Sequence, residues 1–195
     1  YVDVDNDQIR DLIVSNYEYE NNQGTYYYKN NGTDSIPVFS FIRKDFLSDQ
    51  MIDVGEAASP TLYDYDNDGL LDLVIANKKK TITPSIFTCG LELYRNTGTS
   101  TTPSFEFVTD DFANLIAQNY QGKLSPDFAD MDNDGDSDLL IGYETGQIIY
   151  YRNDAGTFVF VSAFYMSIDV GNSSSVQIFD INKDGKLDLL LGEKN

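Results

Sequence analysis

Four copies of one acidic nonapeptide constrain this chain more than any other feature. They read Asp3-Val4-Asp5-Asn6-Asp7-Gln8-Ile9-Arg10-Asp11, Asp64-Tyr65-Asp66-Asn67-Asp68-Gly69-Leu70-Leu71-Asp72, Asp130-Met131-Asp132-Asn133-Asp134-Gly135-Asp136-Ser137-Asp138 and Asp180-Ile181-Asn182-Lys183-Asp184-Gly185-Lys186-Leu187-Asp188. Oxygen-bearing side chains fall at positions one, three, five and nine of every copy, and each copy runs into a short apolar stretch such as Leu73-Val74-Ile75-Ala76. Calcium takes about six to eight oxygens, and a tight loop with alternate carboxylates turned inward can supply most of them. The side chains at those four positions are therefore the candidate metal ligands. Position seven (Ile9, Leu70, Asp136, Lys186) varies freely, as expected if only its backbone carbonyl binds.

Position six is Gly69, Gly135 or Gly185, which turns sharply without a Cβ clash. The first copy has Gln8 there, so the site at Asp3–Asp11 is expected to be the weakest of four; Asn182 removes one charge from the fourth. The simpler alternative is an acidic, solvated turn, since Asp, Asn and Gly are ordinary turn residues. Four copies in register weigh against it. An EF-hand needs an acid at position twelve and a helix on each side. Position twelve is Val14, Ile75, Ile141 and Leu191, and the β-branched and leucine run there reads as a buried strand.

A formal net charge of −19 would look extreme, but positions one, three, five and nine hold 15 of the 32 acids, and four bound Ca²⁺ would bring the charge to −11. Hydrophobic content of 41% belongs to a globular chain rather than a disordered acidic tail. Such a surface makes nucleic acid and anionic membrane poor partners. Histidine is absent, which removes the commonest general base and zinc ligand, and Cys89 is alone, so no internal disulfide forms. No apolar run reaches the length of a membrane span. The sequence opens at Tyr1, inside a repeat and without methionine, so it is expected to be a mature or excised piece of something longer.

Aligning the copies exposes a longer unit. After each loop and its strand comes a second strand ending in an aromatic, a base and an asparagine turn: Tyr28-Lys29-Asn30, Tyr94-Arg95-Asn96 and Tyr151-Arg152-Asn153. An alternating run follows (Val38-Phe39-Ser40-Phe41, Ser104-Phe105-Glu106-Phe107, Thr157-Phe158-Val159-Phe160), which suits an outer edge, and a short strand precedes each loop from the second onward. The unit is four antiparallel strands with the metal loop joining the first to the second. Loops begin 61, 66 and 50 residues apart. Four-stranded sheets at this period predict an all-β, partial β-propeller, whose blades stack radially and bury their faces on their neighbours. The expected blades are 1–50 (lacking most of its first strand), 51–112, 113–165 and 166–195 (its first half). Aromatics such as Tyr94, Phe105, Phe128 and Phe179 are expected in the seams.

The Asp-x-Asp-x-Asp-Gly-x-x-Asp loop opening a leucine-rich strand that ends in Gly resembles the FG-GAP/VCBS repeat over essentially the whole chain, with departures at Gln8 and Asn182 and no Phe-Gly or Gly-Ala-Pro element beside the blades. The Asn-Thr-Gly-Thr and Pro-Ser-Phe tracts also look like those of large secreted bacterial surface proteins of this repeat class. The resemblance implies an integrin-α-like propeller with Ca²⁺ between a blade's first two strands, and an extracellular or cell-surface location. About three and a half blades do not close a ring of four or more. The rest of the propeller, or a docking protein, is the expected partner.

The spans from loop start to the tyrosine before the turn are 25, 30 and 21 residues, so the variation falls on the face away from the loops. Variable loops on a rigid scaffold are where binding concentrates. That face would carry Tyr17, Glu18 and Tyr19, Lys78-Lys79-Lys80, and Asn119-Tyr120-Gln121, suited to a glycan or protein ligand. The expected function is a non-enzymatic, calcium-stabilised module for binding, adhesion or rigid spacing. The alternative is the propeller of a carbohydrate-active enzyme such as a polysaccharide lyase, against which stands the lack of an acid–base cluster apart from the metal loops.

Overall fold

The computed structural model describes residues 2–15, 25–44, 46, 52–80 and 87–194. The chain divides into two compact units, Tyr1–Asp53 and Val54–Asn195. The first holds a three-stranded antiparallel sheet in the order β1 (Leu12–Ser15), β2 (Thr25–Asn30), β3 (Phe39–Arg43). A lone bridge between Val2 and Asp11 stands before β1, at the place of a fourth strand.

The second unit holds two complete four-stranded sheets. One is β4 (Glu56–Tyr63), β5 (Asp72–Lys80), β6 (Phe87–Asn96) and β7 (Phe105–Thr109). The other is β8 (Leu124–Ala129), β9 (Asp138–Tyr143), β10 (Ile148–Asp154) and β11 (Thr157–Ser162). A pair, β12 (Ser175–Phe179) and β13 (Asp188–Gly192), follows. Each sheet is a simple antiparallel meander, and none closes into a barrel. Short 3₁₀ turns at Phe112–Asn114, Ile116–Gln118 and Tyr165–Ser167 carry the chain between sheets. No helix among the described residues is long and apolar enough to cross a membrane.

The apolar runs after the second and third loops are largely buried, and the β8–β11 sheet is covered on both faces, whereas β1 and β13 stay partly exposed. Side chains alternate along a strand. Leu139 and Ile141 of β9, with Ile149 and Tyr151 of β10, therefore join Val74, Ala76, Leu91 and Leu93 in one core. Leu140, Ile148 and Tyr150 point the other way, into a second core with Val176 and Ile178. A strand with a neighbour on each side has no polar face to spare, which is why this stretch does not alternate. The outer strands differ: β3 and β7 keep most of their residues exposed, Phe41 and Phe107 included. Each outer strand meets its neighbour with a register shift two residues before the asparagine, at Tyr27/Tyr28, Leu93/Tyr94 and Tyr150/Tyr151.

The first strands of the second unit lie side by side. Ser59 Oγ is 3.5 Å from Ser125 Oγ, which is 3.2 Å from Ser175 Oγ. Asp127 bridges the same row, accepting from Thr61 Oγ1 at 3.3 Å and from the Ile178 N–H at 2.7 Å. Of the expected seam aromatics, Phe128 stacks on Tyr63 with centroids 4.3 Å apart and rings 8° from parallel, with Phe112 and Phe158 around them. Tyr94 packs edge-on against Phe107 at 5.5 Å, and Phe179 is 40% exposed.

Candidate metal centre

Each acidic loop joins a first strand to a second (β4 to β5, β8 to β9, β12 to β13), and one hydrogen-bond scheme builds all four. The carboxylate at position one is received by the loop's own backbone. Asp3 accepts from the N–H groups of Asp7 and Gln8 at 3.1 and 2.8 Å, and Asp64 from those of Asp68 and Gly69 at 3.1 and 3.0 Å. Asp130 takes Asp134 and Gly135 at 3.2 and 3.1 Å, and Asp180 takes Asp184 and Gly185 at 3.0 and 2.7 Å. Position five caps the same turn: Oδ1 of Asp7, Asp68, Asp134 and Asp184 each accepts the N–H of position seven (Ile9, Leu70, Asp136, Lys186) at 2.9 Å.

Two left-handed residues make the turn possible. Gly69, Gly135 and Gly185 have φ of +85°, +100° and +84°, and Gln8 is held at +69° in the same place. Position four is left-handed as well, at Asn6 (62°), Asn67 (57°), Asn133 (62°) and Lys183 (62°). Asn tolerates that region best among residues with a Cβ. Its recurrence at position four in three copies was the readable signal.

Position nine is the buried anchor. Asp11, Asp72 and Asp138 are fully buried, and each spans the loop and the third strand. One oxygen of each accepts the N–H of position two: Val4 at 3.1 Å, Tyr65 at 3.0 Å and Met131 at 3.0 Å. The other accepts the N–H of the third-strand asparagine, Asn30 at 2.8 Å, Asn96 at 2.7 Å and Asn153 at 2.8 Å. Tyr27 and Tyr150 add hydroxyl donors to Asp11 and Asp138, at 3.3 and 3.0 Å. Asp188 accepts from Ile181 N–H at 3.0 Å in the same manner, on a sheet where no third strand is described.

Those asparagines do more than turn the chain. Asn30, Asn96 and Asn153 are buried, and their amide nitrogens donate to the position-eight carbonyls of Arg10, Leu71 and Ser137 at 3.1, 3.3 and 3.1 Å. Their side-chain oxygens hold the outer hairpin: Asn30 accepts from Gly32 and Val38, Asn96 from Gly98 and Ser104, Asn153 from Gly156. One residue thus ties the loop to the hairpin beyond it. The signal was there in an Asn always following a base, but a turn explained it adequately.

The carboxylates converge. Oxygens of Asp3, Asp5 and Asp11 lie within 4.8 Å of one another, as do those of Asp64, Asp66 and Asp72 and those of Asp130, Asp132 and Asp138. Positions one, three and nine are therefore brought together, and position five is outside these groups of three. The fourth loop keeps the same framework, with Asn182 Oδ1 accepting from Asp184 N–H at 2.9 Å at position three. One observation tests whether a cation fits. Asp66 Oδ1 is buried and has no hydrogen-bond partner among the described residues. A carboxylate oxygen taken from water without a donor is costly. Beside Asp64 and Asp72, a hard divalent ion is the partner that suits it.

The base before the asparagine also reaches the loop, in two copies. Lys29 Nζ bonds to Asp5 Oδ2 and lies 3.1 Å from Asp7 Oδ2. Arg95 Nη2 lies 2.8 Å from Asp66 Oδ2 and 3.1 Å from Asp68 Oδ2. Arg152 instead pairs with Asp154, through Nε at 2.6 Å and Nη2 at 2.9 Å. The titrations follow the charges. Hydrogen bonds donated to Asp5 and Asp7 push the Lys29 ammonium up, while the Ile9 N–H and then Lys29 hold Asp7 below the usual 3.8. In the third loop, desolvation and then the charges of Asp134, Asp138 and Asp130 push Asp132 above 3.8.

Of the residues expected on the far face, Tyr17, Glu18 and Tyr19 lie outside the described residues, as do the side chains of Lys79 and Lys80. Tyr120 packs onto the core, its hydroxyl 3.0 Å from that of Tyr151 and its ring 5.5 Å from Tyr143. Outside the loops, Glu92 is a buried acid bonded by Asn77 Nδ2 at 2.7 Å and by the Tyr94 hydroxyl at 2.5 Å, which the alternation of β6 did not announce.

A protein-family model described as FG-GAP-like repeat matches residues 3–75, 64–141 and 130–191. Each match opens on the first aspartate of one loop and ends in the strand that follows the next. No curated protein and no solved structure matches the chain.

Proposed function

Because the chain belongs to the FG-GAP-like repeat family, we propose that it is a calcium-stabilised β-propeller module, non-enzymatic, of a secreted or cell-surface protein. The sheets and the terminal pair are its blades, over 1–50, 51–112, 113–165 and 166–195. Their radial order is supported by the row of first strands at Ser59, Ser125 and Ser175. The remainder of the propeller, or a docking protein, covers its open sides. A protein or glycan ligand on the face away from the loops, or a plain spacer role, is the purpose of the scaffold.

The single observation that carries the metal is the buried, unpartnered Asp66 Oδ1 among converging carboxylates. Calcium, when bound, supplies the positive charge that lets these acids sit together. Asp64, Asp66 and Asp72 would hold it with Asp68 and the Leu70 carbonyl, and the other loops through the same positions. A site a hundredfold below the free calcium level adds about 2.7 kcal/mol to stability. Four such contributions rival the net stability of a whole domain, so folding becomes conditional on extracellular calcium.

Calorimetric titration of the chelator-stripped protein, with melting curves in chelator and in millimolar calcium, tests this. The expected result is saturable calcium binding and a higher melting temperature. Asp66→Ala should remove most of the second loop's share of that rise. Identical melting curves with and without calcium would end the proposal.

A further inference from the structure

Resting on the calcium assignment above, we propose that the base preceding the third-strand asparagine is an internal counter-cation that competes with the metal, and that the residue following the asparagine decides whether it does. In the second loop the Arg95 guanidinium occupies Oδ2 of both Asp66 and Asp68, positions three and five. In the first, Lys29 occupies Asp5 and Asp7 in the same way. In the third, Arg152 has been drawn off. Asp154, two residues along, takes its guanidinium in a two-point pair at 2.6 and 2.9 Å. The equivalent residues are Asn31 and Thr97, which carry no charge to divert the base. Among the described residues no base is bonded to the carboxylates of the third loop, which adds Asp136 at position seven.

A divalent ion entering the first or second loop has to displace an ammonium or guanidinium from two carboxylates, or share them with it. In the third loop nothing has to leave. A unit charge about 6 Å from a divalent ion, even at the dielectric constant of water, changes its binding about tenfold. The loops are therefore graded, the third filling at lower calcium than the second. The bases serve the metal-free state, where they hold carboxylates that would otherwise repel. Two residues outside the nonapeptide, at the tip of another strand, set the rank.

Position-six amides give a separate reporter for each loop, since Gly69 and Gly135 donate to the position-one aspartates. In a calcium titration followed by amide NMR on the whole chain, the Gly135 signal should saturate at about tenfold lower calcium than Gly69. Thr97→Asp, which offers Arg95 the partner that Arg152 has, should bring Gly69 down toward Gly135. Asp154→Thr should move Gly135 up by a similar factor and leave Gly69 unmoved. Gly69 and Gly135 saturating together in the unmodified protein, or unmoved midpoints in both variants, would overturn the grading while leaving calcium binding intact. No calcium-dependent shift at either glycine would remove the calcium assignment and this inference with it.

Discussion

Truncating Asn153 to alanine tests the scheme that joins each acidic loop to its outer hairpin. The Asn153 side chain donates to the Ser137 carbonyl at 3.1 Å and to the Tyr63 hydroxyl at 3.3 Å, and accepts from the Gly156 N–H at 2.7 Å. The residue is 3% exposed, so water does not replace these bonds in place. At about 1 kcal/mol net for each hydrogen bond, the loss is about 3 kcal/mol. The exposed Gly156 N–H recovers part by meeting solvent, while the half-buried Ser137 carbonyl recovers less. For a domain of this size that corresponds to a fall of about 6–12 °C in melting temperature. Circular dichroism melts in chelator and in millimolar calcium should show the same decrement, because the Asn153 side chain is not among the loop's ligands. Asn153→Asp should cost more than alanine, since a carboxylate would face the Ser137 carbonyl and the buried Asp138. A loss under about 1 kcal/mol, or one confined to calcium buffer, would refute the idea that this asparagine holds loop and hairpin together.

Two further predictions follow from the loop geometry. Gln8→Gly removes a Cβ from a residue held at φ +69° and should raise the melting temperature, with a gain of about 1 kcal/mol in denaturant titration; an unchanged midpoint would show that the turn carries no strain. In calcium-free buffer, carboxyl NMR titration should find Asp132 taking its proton above 3.8 and Asp154, held down by Arg152, below it. The signs are opposite. Ionised Asp132 destabilises the metal-free fold above its raised value, and acid relieves this as pH falls through that value toward 3.8. The Asp154 contribution is stabilising above 3.8 and disappears only as pH falls through its lowered value. Asp132→Asn should therefore raise the pH 7 melting temperature in chelator, and a fall there would contradict the sign.

The sheets were legible because two periodicities agreed. The buried runs at Leu73–Ala76 and Leu139–Gly142, and the alternating edges at Phe105–Phe107 and Phe158–Phe160, fix strand and order without any contact being known. Positions one, three and nine of the loop were legible from spacing alone, and their oxygens meet in the first three loops. The part played by Lys29, Arg95 and Arg152 was not, because it depends on which carboxylate a long side chain reaches after folding. Asp154 competes with the loop only once β10 is formed. Burial was equally hidden at Asn96 and Glu92, both polar by composition and both enclosed, since a buried position accepts a polar residue that finds its hydrogen-bond partners inside. Phe179 shows the converse: an aromatic expected in a seam is 40% exposed, on a pair for which no third strand is described.

The hold that Asn96 keeps on its hairpin reaches only to its neck. Its side-chain oxygen takes the N–H groups of Gly98 and Ser104, and a Thr99–Thr102 backbone bond closes the turn above them. Asn153 performs the same office with Gly156 alone, for a far shorter turn. What lies past the neck is thus free to change in length and composition. A guest peptide spliced between Ser100 and Thr101 would be carried outside the fold by a collar already fastened beneath it, which makes this hairpin a natural place for grafting and display.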